Sequence, residues 1–245
     1  MRQLIINADD FGLNEPATKE TARLISLGCV TSATILANGS HLEEAIDFAK
    51  SHPEASFGVH LNFSEGRCSG RCKDAPGLIS DGKFVGRPPA NSLRPHEWQI
   101  VFDEWRAQID RLLQLGLKPS HIDGHHHVHT IPKYFPVLKR LQKFYGIECV
   151  RISKNLYAKG ASPFTRFAKV LWNSALRATP PATRTTDFFT SFDDYRSSVH
   201  LSDGTYELMC HPGNPAYEEE ARALAGMRPD PARERLISYH ALVQD

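Results

Sequence analysis

The chain has 245 residues, of which 41% are hydrophobic and 23% are charged, which is typical of a soluble globular protein rather than a disordered one. Its formal net charge of +1 argues against a nucleic-acid or membrane partner held by overall charge. No apolar run approaches the ~18 residues of a membrane span, and none has the form of a signal peptide. With an odd count of five cysteines, these features lead us to expect reduced thiols and a cytoplasmic location.

Strand-like and helix-like segments alternate through the first half of the chain. Short apolar, β-branched runs predict strands, whereas amphipathic spacing and capping residues predict helices. The predicted elements are a strand over 4–8, a helix over 14–27 capped by Asn14, a strand over 30–36, a helix from a capping box at 40–43 to about 50, a strand over 57–61 and a helix from 95 to about 115.

The long connection over 64–94 interrupts this alternation. Glycine and proline recur in it, and a connection of this length in a compact domain is more often a lid or binding loop than a passive link. We therefore predict that it lies on the substrate side of the protein. Its Cys68-x3-Cys72 pair could bind metal or oxidise, but no second cysteine pair completes a structural zinc site, which favours an incidental role.

The alternation continues to the C-terminus. The predicted elements are a strand end at 120–123, a helix over 132–145, a strand over 148–152, a helix from 163 to about 177, strands over 187–190 and 206–210, and a last helix from 231 to about 243. Strands that alternate with helices, without a linker, predict an α/β domain over 1–245 whose seven or so parallel strands close, or nearly close, into a barrel. An open doubly wound sheet is the alternative, but the first turn lacks its glycine-rich loop.

The segment 121–129 holds five of the twelve histidines of the chain. Histidine is a common metal ligand that titrates near neutrality, so this density predicts a metal or acid–base site. An extended backbone here would turn His125, His127 and His129 to one face and His126 to the other. The alternative, a solvated polyhistidine stretch, is disfavoured because apolar residues are interleaved with the histidines.

Other polar residues also follow predicted strands. Asp9 and Asp10 follow the first strand, His60 ends the third, His125 follows the fourth, and His211 follows the last. In a parallel barrel, the carboxyl ends of all strands lie on one face and contribute residues to one site. Any one of these residues alone would more often cap a turn or pack in the core, so the prediction of a common site depends on their convergence.

A carboxylate and two imidazoles form a three-sided metal site with open positions for water and substrate. Asp10, His60 and His125 meet this requirement. Asp9 could then accept the proton of an activated water, and His211 could protonate a leaving group. This set of residues predicts amide hydrolysis with one divalent metal ion as cofactor.

Four blocks resemble the signatures of the YdjC-like carbohydrate deacetylases, the group that contains chito-oligosaccharide deacetylase. They are NADDFG at 7–12, GVH at 58–60, HIDGHHHVH at 121–129 and HPG at 211–213. The resemblance extends in order over the whole chain. It implies a distorted TIM-like (β/α) barrel, a divalent metal usually assigned as magnesium and in some members as zinc, and removal of acetyl groups from N-acetylated mono- or oligosaccharides.

The same resemblance assigns residues to roles. Asp10, His60 and His125 match the metal ligands, Asp9 matches the base, and His211 lies in the block beside the site. His127, His129 and Arg151 fall near pocket positions, which predicts contact with substrate, although Arg151 could equally be a structural ion-pair partner. Asp123 is predicted to orient a ligand imidazole from behind. The resemblance is also compatible with a homodimer, which no feature of the sequence demands.

Two other functions are compatible with the predicted residues. A non-haem iron oxygenase also uses two histidines and a carboxylate, but it needs an oxidisable co-substrate. A sugar-binding module without turnover would keep the fold, yet every proposed catalytic residue is present. The 64–94 loop matches no pattern of the family, so the identity, length and linkage of the sugar stay open.

Overall fold

The computed structural model describes residues 1–70, 75–90, 94 and 96–243. Its main sheet has eight strands, and a separate hairpin lies in the 64–94 loop. In chain order, the strands are β1 (Arg2–Phe11), β2 (Ser32–Ile35), β3 (Ser56–Leu61), the hairpin strands β4 (Ile79–Ser80) and β5 (Lys83–Phe84), β6 (His121–Gly124), β7 (Cys149–Val150), β8 (Phe188–Ser191), β9 (Gly204–Cys210) and β10 (Glu234–Leu236).

The main sheet is a nearly closed parallel barrel. Its strand order is β7-β6-β3-β2-β1-β9-β8, with β10 beside the start of β1, and every pairing in it is parallel. Irregular backbone spans the gap between β7 and β8: Val150 donates to the Arg184 carbonyl, and Asn155 donates to the Phe189 carbonyl. The predicted α/β class, a distorted TIM-like barrel of seven strands, is confirmed, and the short β10 is an addition to it.

Seven helices connect and flank the strands. They are α1 (Glu15–Ser26), α2 (Leu42–Ser51), α3 (Glu97–Gln114), α4 (Phe135–Tyr145), α5 (Pro163–Ala178), α6 (Phe192–Ser197) and α7 (Glu218–Ala225), counted over the described residues. Asn14 caps α1 as predicted, because its side chain accepts from the Ala17 amide at 3.0 Å. The capping box predicted for α2 is wrong: the Ser40 hydroxyl contacts the Leu13 carbonyl and the His41 ring instead.

The predicted C-terminal helix is also wrong. Glu234–Leu236 forms β10 on the edge of β1, and a short 3-10 turn over Tyr239–Leu242 follows it. An ion pair of 2.9 Å between Arg2 and Glu234 stabilises this pairing. The helices α6 and α7 were not predicted, because they have only six and eight residues and such short segments hold too few turns for a helical period to be recognised.

Membrane-spanning helices and the Cys68–Cys72 pair can be compared with the sequence-based expectations only as far as the structure describes the chain. No helix in the part of the chain that the structure describes is long and apolar enough to cross a membrane. Cys72 and Pro95 lie outside the described residues, so the cysteine pair and the first residue predicted for α3 are not tested.

Candidate metal and catalytic site

A cavity of about 350 Å³ opens at the carboxyl ends of the barrel strands. It collects most of the residues that the sequence singled out, together with several that it did not. The lining residues are Asp9, Asp10, Leu13, His60, Glu65, His125, His126, His127, Met209, His211, Asn214 and Tyr217. The predicted convergence of residues from separate strands is therefore present in the structure.

A β-bulge turns the two adjacent aspartates toward this cavity. Successive residues of a regular strand point to opposite faces, so neighbouring carboxylates would normally diverge. Between Ala8 and Phe11, however, β1 has one residue more than its partner β2. Asp10 takes a left-handed conformation, with a φ of 64°, which is uncommon for a residue other than glycine. As a result, both Asp9 and Asp10 line the cavity.

Asp10 lies between two imidazoles. Its Oδ1 atom is 2.7 Å from Nδ1 of His125 and 3.2 Å from Nε2 of His60. Burial alone would raise the pKa of Asp10, but the two histidines hold it well below its usual range. The potential ligand atoms of the three residues all lie within 4.8 Å of one another.

Both imidazoles are oriented by carboxylates on the side away from Asp10. Nδ1 of His60 is 2.7 Å from Asp123, and Nε2 of His125 is 2.8 Å from Glu65. Burial would lower the pKa of each histidine, but the neighbouring carboxylates raise it in both. Metal-ligating histidines commonly have a carboxylate partner of this kind, which fixes the ring and its tautomer. The donor set and its supporting contacts therefore fit a divalent cation.

Thr34 completes the support of His60. Its hydroxyl donates to Oδ2 of Asp123 at 3.0 Å and lies 3.1 Å from Nδ1 of His60. Because Thr34 is on β2 and Asp123 is on β6, the ring of His60 on β3 is held from both neighbouring strands.

Arg151 lies behind Asp9 and has no solvent-exposed surface. Its guanidinium donates two hydrogen bonds to Asp9, of 2.7 and 2.6 Å, and lies 2.8 Å from Asp123. Burial would raise the pKa of Asp9, but the Arg151 charge keeps it well below its usual range. The predicted contact of Arg151 with substrate does not fit this position, because its side chain is buried. Its position matches the alternative role of an ion-pair partner.

A third carboxylate binds the other side of the guanidinium. Glu207 on β9 accepts from Nε of Arg151 at 2.7 Å and from the Tyr239 hydroxyl at 2.6 Å. Burial raises the pKa of Glu207 to about 7, although Arg151 and Tyr239 favour the ionised form. One buried cation thus joins three buried carboxylates inside the barrel.

The histidine run is bent rather than extended, and the prediction of alternating faces is wrong. Residues His125–Thr130 form a 3-10 segment in which His126 and His127 have φ values of 50° and 55°. His127 lines the cavity, and so does His126, which was expected to point away. His129 is fully buried, so it has no surface with which to contact a substrate as predicted. Because of the bend, the adjacent residues His126 and His127 both line the cavity, whereas an extended strand would turn them to opposite faces.

His211 lines the cavity just after β9, the strand that pairs with β1, and it follows Cys210, which is in register with Ala8. Its ring stacks on Tyr217 with centroids 4.7 Å apart, and its backbone amide donates to Glu220 at 2.8 Å. Glu220 is buried, which raises its pKa to about 7. These contacts fix the position of His211 while leaving its ring on the cavity wall.

Sequence reasoning missed several parts of this site. Glu65 and Ser64 come from the long loop, and Ser64 lies 3.0 Å from Nδ1 of His126. Arg87, from the same loop, donates to the His126 carbonyl at 3.0 Å. The available signal was that Glu65 follows β3 by only four residues, which places it near the same strand ends. Glu207 gave no signal, because a single acid within an apolar strand does not reveal which face it occupies.

The fold and the site together define a class: a (β/α) barrel with an Asp-His-His cluster and a second aspartate at its carboxyl mouth. Residues 3–244 match the family model described as YdjC-like protein. The chain therefore belongs to the YdjC-like family.

Similar proteins agree with this assignment. The chain is 33% identical over 221 residues to a protein of Halalkalibacterium halodurans named carbohydrate deacetylase, covering 89% of this chain and 86% of that one. It is 34% identical to a carbohydrate deacetylase of Geobacillus stearothermophilus, covering 86% and 79%. A solved structure from Enterococcus faecalis V583, to which cellobiose-phosphate cleavage has been ascribed, superposes with a TM-score of 0.68 at 23% identity, over 98% of both chains. That likeness concerns the fold.

Proposed function

We propose that this protein is a metal-dependent hydrolase that removes acetyl groups from N-acetylated mono- or oligosaccharides. The observation that carries the proposal is the meeting of Asp9, Asp10, His60 and His125 in one cavity of a chain that belongs to a family of carbohydrate deacetylases. Asp10, His60 and His125 would hold one divalent cation. Such an ion lowers the pKa of bound water and polarises a carbonyl group.

Asp9 is the base of the proposed reaction. Its pairing with Arg151 keeps the carboxylate ionised, and its place on the cavity wall puts it within reach of a water beside Asp10. As the water oxygen bonds to the acetamide carbon, its proton passes to Asp9. Arg151 holds both oxygens of Asp9, so the carboxylate cannot rotate away from the water.

His211 is the proposed acid. When the carbon–nitrogen bond breaks, the departing amine needs a proton, and the imidazole of His211 lines the same cavity as Asp9. The products are acetate and a free amino sugar. His127, which also lines the cavity, is proposed to contact the sugar, and the 64–94 loop contributes Glu65 to the cavity lining.

Two imidazoles and one carboxylate suit a borderline ion such as zinc, whereas the family resemblance points to magnesium. We propose that the metal-free protein be tested for acetate release from a panel of N-acetylated chito-oligosaccharides, with chelator and with individual metals added back. The expected result is release that chelator abolishes and one metal restores. Release that chelator leaves unchanged would overturn the metal-dependent function. Release that persists anaerobically with a redox-inert metal would exclude an oxygenase.

A further inference from the structure

Helix α5 has apolar side chains on two opposite sides. Trp172 and Leu176 pack into the core. The solvent side exposes four large apolar side chains: Phe164 (81%), Phe167 (68%), Val170 (58%) and Leu171 (61%). These exposures show that no described residue covers the outer side.

These side chains form one stripe. Phe164, Phe167 and Leu171 are spaced at i, i+3 and i+7, and the exposed Ala168 fills the i+4 position. Single exposed apolar residues are ordinary, whereas a contiguous apolar patch commonly marks a surface that contacts another molecule or a membrane. We call the four exposed side chains Phe164, Phe167, Val170 and Leu171 the α5 stripe.

The chain segment that contains the α5 stripe has basic residues but no acidic ones. Residues 149–186 contain no aspartate or glutamate, although the whole chain has 28 acidic residues. Of the seven basic residues in this segment, Arg151 is buried among carboxylates, Lys154 pairs with Asp194 at 2.6 Å, and Arg184 pairs with Glu148 at 3.0 Å. The other four, Lys159, Arg166, Lys169 and Arg177, form no ion pair among the described residues. Lys169 donates to the Tyr157 hydroxyl, and Arg177 donates to Thr185 and to the Thr186 carbonyl. Lys159 and Arg166 are exposed.

The first turn of α5 lies at the same end of the barrel as the cavity. The helix follows the loop that leaves the carboxyl end of β7, and it runs back along the sheet. Asn173 of α5 is bonded to Ser153 in that loop, and the Trp172 ring packs edge-on against His129, with centroids 6.3 Å apart. The helix is therefore fixed directly behind the histidine run.

We infer that the α5 stripe docks this protein on the surface of an anionic phospholipid bilayer. An apolar stripe with phenylalanine and leucine, bordered by lysine and arginine without acids, is typical of helices that lie in the headgroup region. A second copy of the chain packed on this face would bring the exposed Lys159 and Arg166 of one copy near those of the other, whereas lipid phosphates supply the opposite charge. The overall charge of +1 hides this local excess.

Docking would place the mouth of the cavity near the bilayer surface. This consequence rests on the proposed function: if the protein removes acetyl groups from sugars, the docked enzyme would encounter sugars carried on lipids. The docking itself does not depend on the chemistry, so the two can be tested separately.

The test is co-sedimentation of the full chain with vesicles of phosphatidylcholine alone, or with about one third phosphatidylglycerol. We expect binding to the anionic vesicles that weakens at high salt. The double variant Phe167→Glu, Leu171→Glu should reduce vesicle binding by on the order of 10-fold or more, and so, in part, should Lys159→Gln, Arg166→Gln. The matched control is Phe144→Glu on α4, where Phe144 is 58% exposed but outside the stripe.

No binding to anionic vesicles, or equal binding by wild type and the stripe variants, would overturn the inference. So would sedimentation equilibrium showing a dimer that the Phe167→Glu, Leu171→Glu variant dissociates, because the stripe would then be a subunit interface. Acetate release from soluble acetylated chito-oligosaccharides should be the same in wild type and in all these variants. Its complete absence, by contrast, would count against the proposed function and not against docking.

Discussion

Asp9 and Asp10 are neighbours in the chain but have separate partners. Asp10 faces two imidazoles, whereas Asp9 is held by Arg151 and accepts a hydrogen bond of 2.9 Å from Asn7. Like charges this close are unfavourable unless each is compensated. Because of the bulge in β1, both carboxylates face the cavity. Asp9 contacts the Arg151 guanidinium, and Asp10 contacts the imidazoles of His60 and His125.

This division of roles predicts the effect of Asp9→Asn. The variant should still bind one divalent cation, since Asp10, His60 and His125 are unchanged, but turnover should fall by about 10²–10⁴ because the base is lost. Calorimetric titration of the metal and acetate release measure the two effects. Asp10→Asn is the control and should lose the cation. If Asp9→Asn turns over at the wild-type rate, Asp9 is not the base.

Glu65 gives a second prediction at this scale. Its bond to Nε2 of His125 should fix the ring for coordination, so Glu65→Gln should weaken cation binding by about 10–100-fold. Calorimetric titration of both proteins with the same ion measures the change. Glu54→Gln, at an exposed position before β3, is the matched control and should have no effect. Wild-type affinity in Glu65→Gln would mean that the loop does not support the metal site.

At the scale of elements, four segments of the barrel meet at the Arg151 guanidinium. Asp9 comes from β1, Asp123 from β6 and Glu207 from β9, while Arg151 itself follows β7. Because β7 is at one end of the strand order and β9 is near the other, this cluster links strands across the inside of the barrel. A buried cation with several carboxylates is costly to desolvate, so each member depends on the others.

The raised pKa of Glu207 predicts a specific dependence of stability on pH. In the unfolded chain, Glu207 ionises near its ordinary pKa of 4.5, whereas in the folded protein it ionises near 7. Between these values the folded state holds the extra proton, so the contribution of Glu207 to stability falls as pH rises from about 4.5 to 7. In the variant Glu207→Gln, this decrease in the free energy of unfolding with rising pH should be absent.

Urea unfolding of both proteins at several pH values tests this prediction. Over that pH interval, wild type should lose about 3 kcal/mol of unfolding free energy relative to Glu207→Gln. Comparing the two proteins removes the contribution of titrating groups that lie away from Glu207. Parallel curves for the two proteins would show that Glu207 ionises normally in the barrel.

At the scale of the whole molecule, the proposed metal site joins separate parts of the fold. Asp10 is on β1, His60 is on β3, and His125 follows β6, so more than 100 residues of chain lie between the first ligand and the last. The unfolded chain cannot keep these donors together. A cation bound here should therefore stabilise the folded state.

The size of that stabilisation can be predicted from mass action. A cation present at 100 times its dissociation constant should add about 2.7 kcal/mol to the free energy of unfolding. Urea unfolding with and without the cation measures it. His125→Ala should show no such gain at the same cation concentration. A gain of wild-type size in that variant would place the cation elsewhere.

The barrel and the place of the site could be predicted because both follow from simple rules. Buried parallel strands are apolar runs, and their carboxyl ends share one face. This was enough to place Asp9, Asp10, His60, His125 and His211 around a single cavity. The rule depends only on where strands end, and the strand ends were predicted to within a few residues.

The details of the site could not be predicted, for three physical reasons. The left-handed turns at His126 and His127 are stabilised by contacts with the loop, which local sequence does not reveal. The burial of Arg151 depends on carboxylates from strands far away in sequence. The C-terminal residues 234–236 form a strand because the edge of β1 is available to them, so tertiary pairing determines their structure.

The most direct test of a single catalytic cation is a titration of metal-free protein with the activating cation, with acetate release measured at each step. We expect release from an N-acetylated sugar to start at zero, to rise in proportion to the cation added, and to stop rising at one ion per chain. Full activity in metal-free protein with chelator present, or no acetate release from any acetylated sugar when one ion is bound per chain, would contradict this expectation.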